Sequence, residues 1–339
     1  MELRSVASYA SRLKAALPKR AFQPARSRLL WLPFHLTVIA LCAFAVTQQL
    51  LPGAAAFIAV PLIGFSFAGI TFLAHETLHG AVVRSKWGRT VIGFVGFLPF
   101  MVSPRLWVRW HNQIHHGNAN RPSADPDSFP TLTEYQSNRQ QRWVVDLFSV
   151  GRKRAWGILT LLVGFSFHSA HILISSRKRG MLSATEYRMA LLETALGGLF
   201  WAFLLVWLGP LSFLFVYVFP LMIANSIVMA YILTNHSLSP QTPRNDPLIN
   251  SLSVTVPRFV DWITLHFGYH VEHHLFPSMS TRHAPTVREL IRRYWPERYQ
   301  SMPLWRALQR LHGTARVYKD DTTLIDPISG KQWPALLPR

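Results

Sequence analysis

Hydrophobic and polar positions fall into long blocks along this chain, with little short-range alternation. Residues 29–51 and 53–74 are uncharged apolar runs joined at Pro52-Gly53, each long enough to cross a bilayer as a helix. Residues 189–208 and 211–234 repeat the arrangement around Gly209-Pro210. The pattern predicts an all-α integral membrane protein with four transmembrane helices in two hairpins. Two further apolar blocks fit less well. Residues 88–103 are too short for a comfortable span and lead into Trp107 and Trp110, so they are expected in the interface at headgroup level. Residues 155–176 are long enough to cross, but Arg152-Lys153-Arg154 and Arg177-Lys178-Arg179 flank them. Short basic flanks stay cytoplasmic, so this block is expected to lie in the interface or to dip in and return.

The polar segments complete the division. Residues 1–28 form a basic cytoplasmic segment, 29–285 the membrane domain, and 286–339 an exposed basic tail with short amphipathic stretches. Within the membrane domain, residues 117–154 form a polar loop carrying the turn-rich Arg121-Pro122-Ser123-Ala124-Asp125-Pro126-Asp127, and 237–269 a second polar connection.

Composition sharpens this picture. Half of the 339 residues are hydrophobic, and 35 basic against 16 acidic residues give a formal charge of +19. On a membrane protein such an excess marks the cytoplasmic face, where anionic lipid headgroups or an acidic partner are met. Nucleic-acid binding does not account for apolar blocks of this length. Cys42 is the only cysteine, which excludes an intrachain disulfide, a cysteine-held zinc finger and an iron–sulfur cluster. Any metal must be held by histidine and oxygen ligands.

Three compact histidine groups offer such ligands: His75-Glu76-Thr77-Leu78-His79, His111-Asn112-Gln113-Ile114-His115-His116, and His270-Val271-Glu272-His273-His274. On an α-helix, the i, i+4 pairs His75 with His79 and His111 with His115 set two rings one turn apart on one face, and His270, His273 and His274 share one side. Eight imidazoles exceed the roughly four to six ligands of a mononuclear centre, which points to two metal ions. Each hairpin ends at such a residue, since the fourth apolar block runs into Asn235-His236.

The motifs HxxxH, HxxxHH and HxxHH, in this order around two hairpins, resemble those of the membrane fatty-acid desaturase family; HVEHHLFPSM and the DPD after the second box are similar as well. The resemblance runs from about residue 29 to 285. It implies two iron ions that activate dioxygen, O2 being the co-substrate, and removal of hydrogen from an acyl chain. His75, His79, His111, His115, His116, His270, His273 and His274 match the boxes, and His236 matches a ninth ligand found in many relatives. Where some acyl-CoA desaturases carry an asparagine that holds a water on iron, this chain has Ile232. Asn225 lies eleven residues before His236, about 16 Å along a helix, and does not substitute.

Metal-bound histidines usually donate their second N–H to a carboxylate or carbonyl, and Glu76, Asn112, Asp125, Asp127 and Glu272 are placed to accept it. His168 and His171 lie outside any box and read as non-ligands; His35, His283 and His312 read as structural or surface residues, and His266 as at most a neighbour of the ligands.

The implied protein is a four-span acyl-lipid desaturase with its histidines on the cytoplasmic side, its partners being membrane lipids and an acyl lipid substrate. No HPGG haem-binding motif of a fused cytochrome b5 occurs, so electrons are expected from a separate ferredoxin or cytochrome b5, and a basic face suits an acidic donor. The bias of arginine over lysine points to a bacterial inner membrane. A hydroxylase or ketolase of the same superfamily is the alternative, since spacing does not distinguish loss of hydrogen from gain of oxygen. A metal transporter or storage protein would need polar residues lining a path through the spans, and residues 29–51 supply little beyond His35.

Overall fold

In the computed structural model of the chain, which describes residues 2–50, 56–148 and 154–338, the apolar blocks become helices. Among the described residues, five are long and apolar enough to cross a membrane: Arg26–Thr47, Ala56–Leu78, Gly157–Ser176, Ala184–Leu208 and Pro210–His236. The Pro52-Gly53 link lies outside the described residues, as do Arg152 and Lys153 of the basic flank. Large apolar side chains stand exposed along these helices, among them Leu30, Phe34, Leu41 and Phe44 on the first and Leu199, Phe203 and Val206 on the fourth. Water would not tolerate such stripes, and lipid does.

The chain divides into two bodies. The apolar one comprises Pro24–Trp110 and Leu161–Val228. Its helices approach closely where glycine removes a side chain: a Cβ on Gly64 would lie 2.7 Å from Ile223 Cβ and 2.8 Å from the Pro220 carbonyl, and one on Gly69 would overlap the His35 ring. Lys86–Phe100 and Pro104–Asn118 form a bent pair with an angle of 101°, turned by Met101 in the left-handed region at φ 54°. At the break the Leu98 carbonyl accepts the Met101 amide at 3.1 Å, and side-chain donors also meet the carbonyls of Leu98 and Pro99. They accept from Trp201 Nε1 at 2.8 Å and from the Tyr217 hydroxyl at 2.9 Å, so apolar surroundings leave neither unpaired.

That pairing bears on the expectation for residues 88–103. Trp201 is seventeen residues into the helix Ala184–Leu208, about 26 Å from its start at 1.5 Å per residue. The bend therefore packs beside the inner part of that helix and not beside its first turns. Of the two alternatives expected for the block 155–176, the structure excludes the dip and return: the block is one unbroken helix, Arg154–Ser176. At its middle the Ser166 amide donates to Asn225 Oδ1 at 3.1 Å, and the Phe165 ring packs on Phe100 and Trp107 with centroids 4.8 and 6.0 Å away. A buried asparagine in an apolar helix must find polar partners, and the serine supplies them.

The second body comprises Met1–Gln23, His111–Thr160 and Met229–Arg339. Its core joins Tyr9 and Leu13 of the N-terminal helix Val6–Ala16 to Val271 and Leu275 of the third histidine group and to Val287 and Ile291 of the helix Ala284–Tyr294. The segment after Pro285, expected as an exposed tail, is folded here. It supplies two helices, Ala284–Tyr294 and Leu304–Gly313, and most of two small sheets. Ser253–Thr255 pairs in parallel with Ser301–Pro303, while Tyr318–Asp320, Thr323–Ile325 and Gln332–Pro334 form an antiparallel sheet. The chain is thus mostly helical, not all-α. The apolar periodicity of Val287, Ile291, Ala307 and Leu311, all fully buried, explains why the basic tail does not stay in solvent.

Candidate metal centre

Within the polar body, seven imidazoles among the described residues converge from three stretches of chain. One ligand nitrogen each of His115, His236, His270 and His274 lies within 4.8 Å of the other three, and all four residues are buried. A second group forms beside them: His116 Nε2 lies 3.2 Å from His111 Nε2 and 3.2 Å from His273 Nε2. His115 also approaches His111 and Asp127, so the two groups adjoin.

The backbone explains how the boxes divide. Val108–His115 is a π-helix, in which residues five apart come into line. His111 therefore faces His116, while His115 turns to the other group. His111 and His115, expected one turn apart on one face, do stack with ring centroids 5.1 Å apart, and His115 reaches the other group as well. The third box also divides. On the helix His270–Leu275, His270 and His274 are one turn apart and enter the four-imidazole group, whereas His273 joins His111 and His116.

Hydrogen bonds at the far side of the rings fix which nitrogen is presented. His115 Nδ1 lies 2.9 Å from Asp125 Oδ1 and 3.3 Å from Asp127 Oδ2, so both acids meet this ring. His236 Nδ1 donates to the Asn250 carbonyl at 3.0 Å, turning its Nε2 toward His270 Nε2 at 2.6 Å. Two lone pairs cannot face each other so closely unless a proton or a cation lies between them. The nitrogens of His274 have no hydrogen-bond partner among the described residues although the ring is 2% exposed. Burial, then the neighbouring His116, His270, His236 and His115, hold its pKa well below the ordinary imidazole value. A buried, neutral, unpartnered imidazole is what a cationic metal requires, so the donor set fits the group that the motifs imply.

His75 and His79 belong to the apolar body, at the end of the helix Ala56–Leu78. Their ring centroids are 4.8 Å apart, and His75 also packs against Trp107. Between them Glu76 faces Arg28 at 3.6 Å, both side chains buried.

A family model described as fatty acid desaturase matches residues 50–305. The chain belongs to the fatty acid desaturase family. Similar proteins include a Delta(5) fatty acid desaturase of Caenorhabditis elegans, 24% identical over 69% of this chain and 56% of its own length, so the chain spans little more than half of that relative. A fatty acid conjugase of Calendula officinalis is 24% identical over 88% of this chain and 86% of its own. The sn-1 acyl-lipid omega-3 desaturase (ferredoxin) of a Synechocystis strain is 27% identical over 87% and 84%.

Other expectations for this desaturase-family chain need revision. The Glu272 carboxylate, expected against an imidazole, instead accepts from Ser253 Oγ at 2.6 Å, Arg288 Nε at 3.0 Å and the Tyr299 hydroxyl at 2.6 Å. With Val271 N donating to Ser253 Oγ, it anchors the backbone of the third box. His266 bonds Asp261 at 2.7 Å, and His168 packs on Trp110; neither belongs to a group of converging ligand nitrogens among the described residues, nor does His171. Asn112 lies on the π-helix between ligand positions. Sequence reading missed Asn250, which acts through its carbonyl, and a backbone atom leaves no signature in residue type. It also missed Asn120, whose φ of 52° and bond from N to Asp125 Oδ2 at 2.7 Å fold the DPD loop back under His115. An asparagine five residues before the DPD was the available signal, because asparagine tolerates the left-handed region.

Proposed function

We propose that this chain is an acyl-lipid desaturase that introduces a double bond into an acyl chain at a di-iron centre. The observation that carries the reading is the pair of adjoining imidazole groups in the polar body, too many nitrogens for one ion. His115, His236, His270 and His274 would hold one iron and His111, His116 and His273 the other, with His75 and His79 completing the ligand set by the family pattern. When bound, the irons supply dioxygen activation and hydrogen abstraction from an unactivated C–H bond.

The protein's own contribution is to present neutral rings in fixed tautomers. Asp125 and the Asn250 carbonyl take the Nδ1–H of His115 and His236, leaving each Nε2 for metal. In the overall balance, dioxygen takes two hydrogens with their electrons from the acyl chain, two electrons from an external donor and two protons from solvent, and leaves as two waters. The sn-1 acyl-lipid relative named for ferredoxin supports a separate donor of that kind, and the basic excess of the chain supports an acidic one.

Four complete crossings, with the histidines on the cytoplasmic side of an inner membrane, agree with the basic segments 1–28 and 177–179. Expression of the chain in a bacterial host, followed by mass spectrometry of total lipids, tests the function. Loss of two hydrogens from an acyl chain is the expected result. Gain of oxygen would mean a hydroxylase, and unchanged lipids with an active donor supplied would overturn the enzyme reading.

A further inference from the structure

Four consecutive carbonyls after His236 are taken by donors from distant parts of the polar body. Arg316 Nη1 donates to Ser237 O at 3.1 Å, the Leu336 amide to Leu238 O at 2.7 Å, and the Tyr318 hydroxyl to Ser239 O at 2.6 Å. Asn120 Nδ2 donates to Pro240 O at 2.8 Å and to Ser239 O at 3.1 Å. Three of these four donors lie beyond residue 305, where the match to the family model ends.

Two features separate this arrangement from ordinary packing of a C-terminal segment. Arg316 is 1% exposed and makes no ion pair among the described residues; it also donates to the Ala315 and Leu311 carbonyls and to Thr314 Oγ1. Burying a guanidinium without a counter-ion is costly, and here its donors go to carbonyls, including the one next to His236. The Tyr318 hydroxyl also lies 3.4 Å from Asn120 Nδ2, and the Asn120 amide holds the Asp125 carboxylate that meets His115. One hydroxyl thus connects the supports of His236 and of His115.

We infer that Arg316 and Tyr318 are positioning residues for the four-imidazole group, fixing the backbone after His236 and the Asn120–Asp125 support of His115. The inference rests on the metal-centre reading above. A segment outside the family match then belongs to the metal scaffold of this chain.

The test is titration of the purified full chain in detergent with cobalt(II), whose visible absorption reports ligand number and geometry, alongside thermal melting without metal. Tyr318→Phe removes one hydroxyl and keeps the ring. Tyr135→Phe is the control: it removes a hydroxyl in the same body that bonds Asp146 at 2.9 Å. We expect Tyr318→Phe to weaken cobalt binding about tenfold or more and to shift its absorption bands, a size typical of removing an outer support of a metal ligand. Tyr135→Phe should alter the melting temperature alone. Arg316→Met should act in the direction of Tyr318→Phe where it folds. Wild-type cobalt affinity and spectrum in Tyr318→Phe would overturn the inference with the metal centre intact. A wild-type chain that takes up neither cobalt nor iron would overturn the metal-centre reading itself.

Discussion

His116 Nε2 and His273 Nε2 lie 3.2 Å apart although 157 positions separate them in the chain. Both belong to the polar body, so the chain between them must cross a membrane an even number of times. Three helices of spanning length lie in that interval, Gly157–Ser176, Ala184–Leu208 and Pro210–His236. At least one of them does not make a complete crossing, whatever its hydropathy.

The basic run at 177–179 singles out Gly157–Ser176, and thiol labelling can check it. In a Cys42→Ala background, Ser137→Cys before this helix and Ser183→Cys after it should react with an impermeant reagent from the same side of sealed vesicles. Labelling from opposite sides would mean that another of the three helices fails to cross.

Because the third box divides, neighbouring histidines should differ in the metal they lose. His273→Ala and His274→Ala should each abolish desaturation and leave membrane insertion intact, and each should lower the iron content from about two per chain toward about one. Paramagnetic spectroscopy of the two variants should then report different residual sites. Identical spectra would contradict the assignment of these residues to separate groups.

Asp125→Asn keeps the volume and removes the charge beside His115. Metal affinity should fall about 10–100-fold, the range found when an outer carboxylate partner of a ligand histidine is lost. Asp127→Asn, at 3.3 Å from the same nitrogen and more exposed, should cost less. Equilibrium metal titration distinguishes them, and equal losses would show that the DPD loop acts as a unit.

Packing in the apolar body gives a prediction independent of metal. A Cβ on Gly96 would overlap the Ile70 carbonyl and approach Ala74 Cβ at 2.6 Å, and backbone cannot move aside as a flexible side chain can. Gly96→Ala should destabilise by about 1–3 kcal/mol. Gly198→Ala meets only Met101 Sδ at 3.8 Å and should be neutral or stabilising by up to about 1 kcal/mol from helix propensity. Unfolding in detergent–denaturant mixtures measures both, and a stable Gly96→Ala chain would mean that this helix contact is looser than described.

The histidine boxes were legible because coordination chemistry is written in residue type: few other requirements put three imidazoles into five residues. The spans were legible because a bilayer demands about twenty apolar residues in succession. His236 was legible by its position at the end of an apolar block. What residue type does not encode is backbone geometry. The π-helical turn over Val108–His115 brings His116 as well as His115 to His111, and Met101 in the left-handed region bends the chain after the 88–103 block. Hydropathy averages cannot register either.

Residue types alone carry the chemistry: the ligand type, the exclusion of cysteine-held metal, and the need for a membrane. The tertiary structure decided the division of the imidazoles into two groups and the supports behind them. It also decided the fate of the basic C-terminal segment. Those supports are carbonyls and paired side chains brought from far along the chain, and Arg316, an ordinary surface residue by composition, becomes a buried donor only because Ser237 and Leu311 present carbonyls to it. Local sequence fixes which groups can bond, and the meeting of distant segments fixes which do.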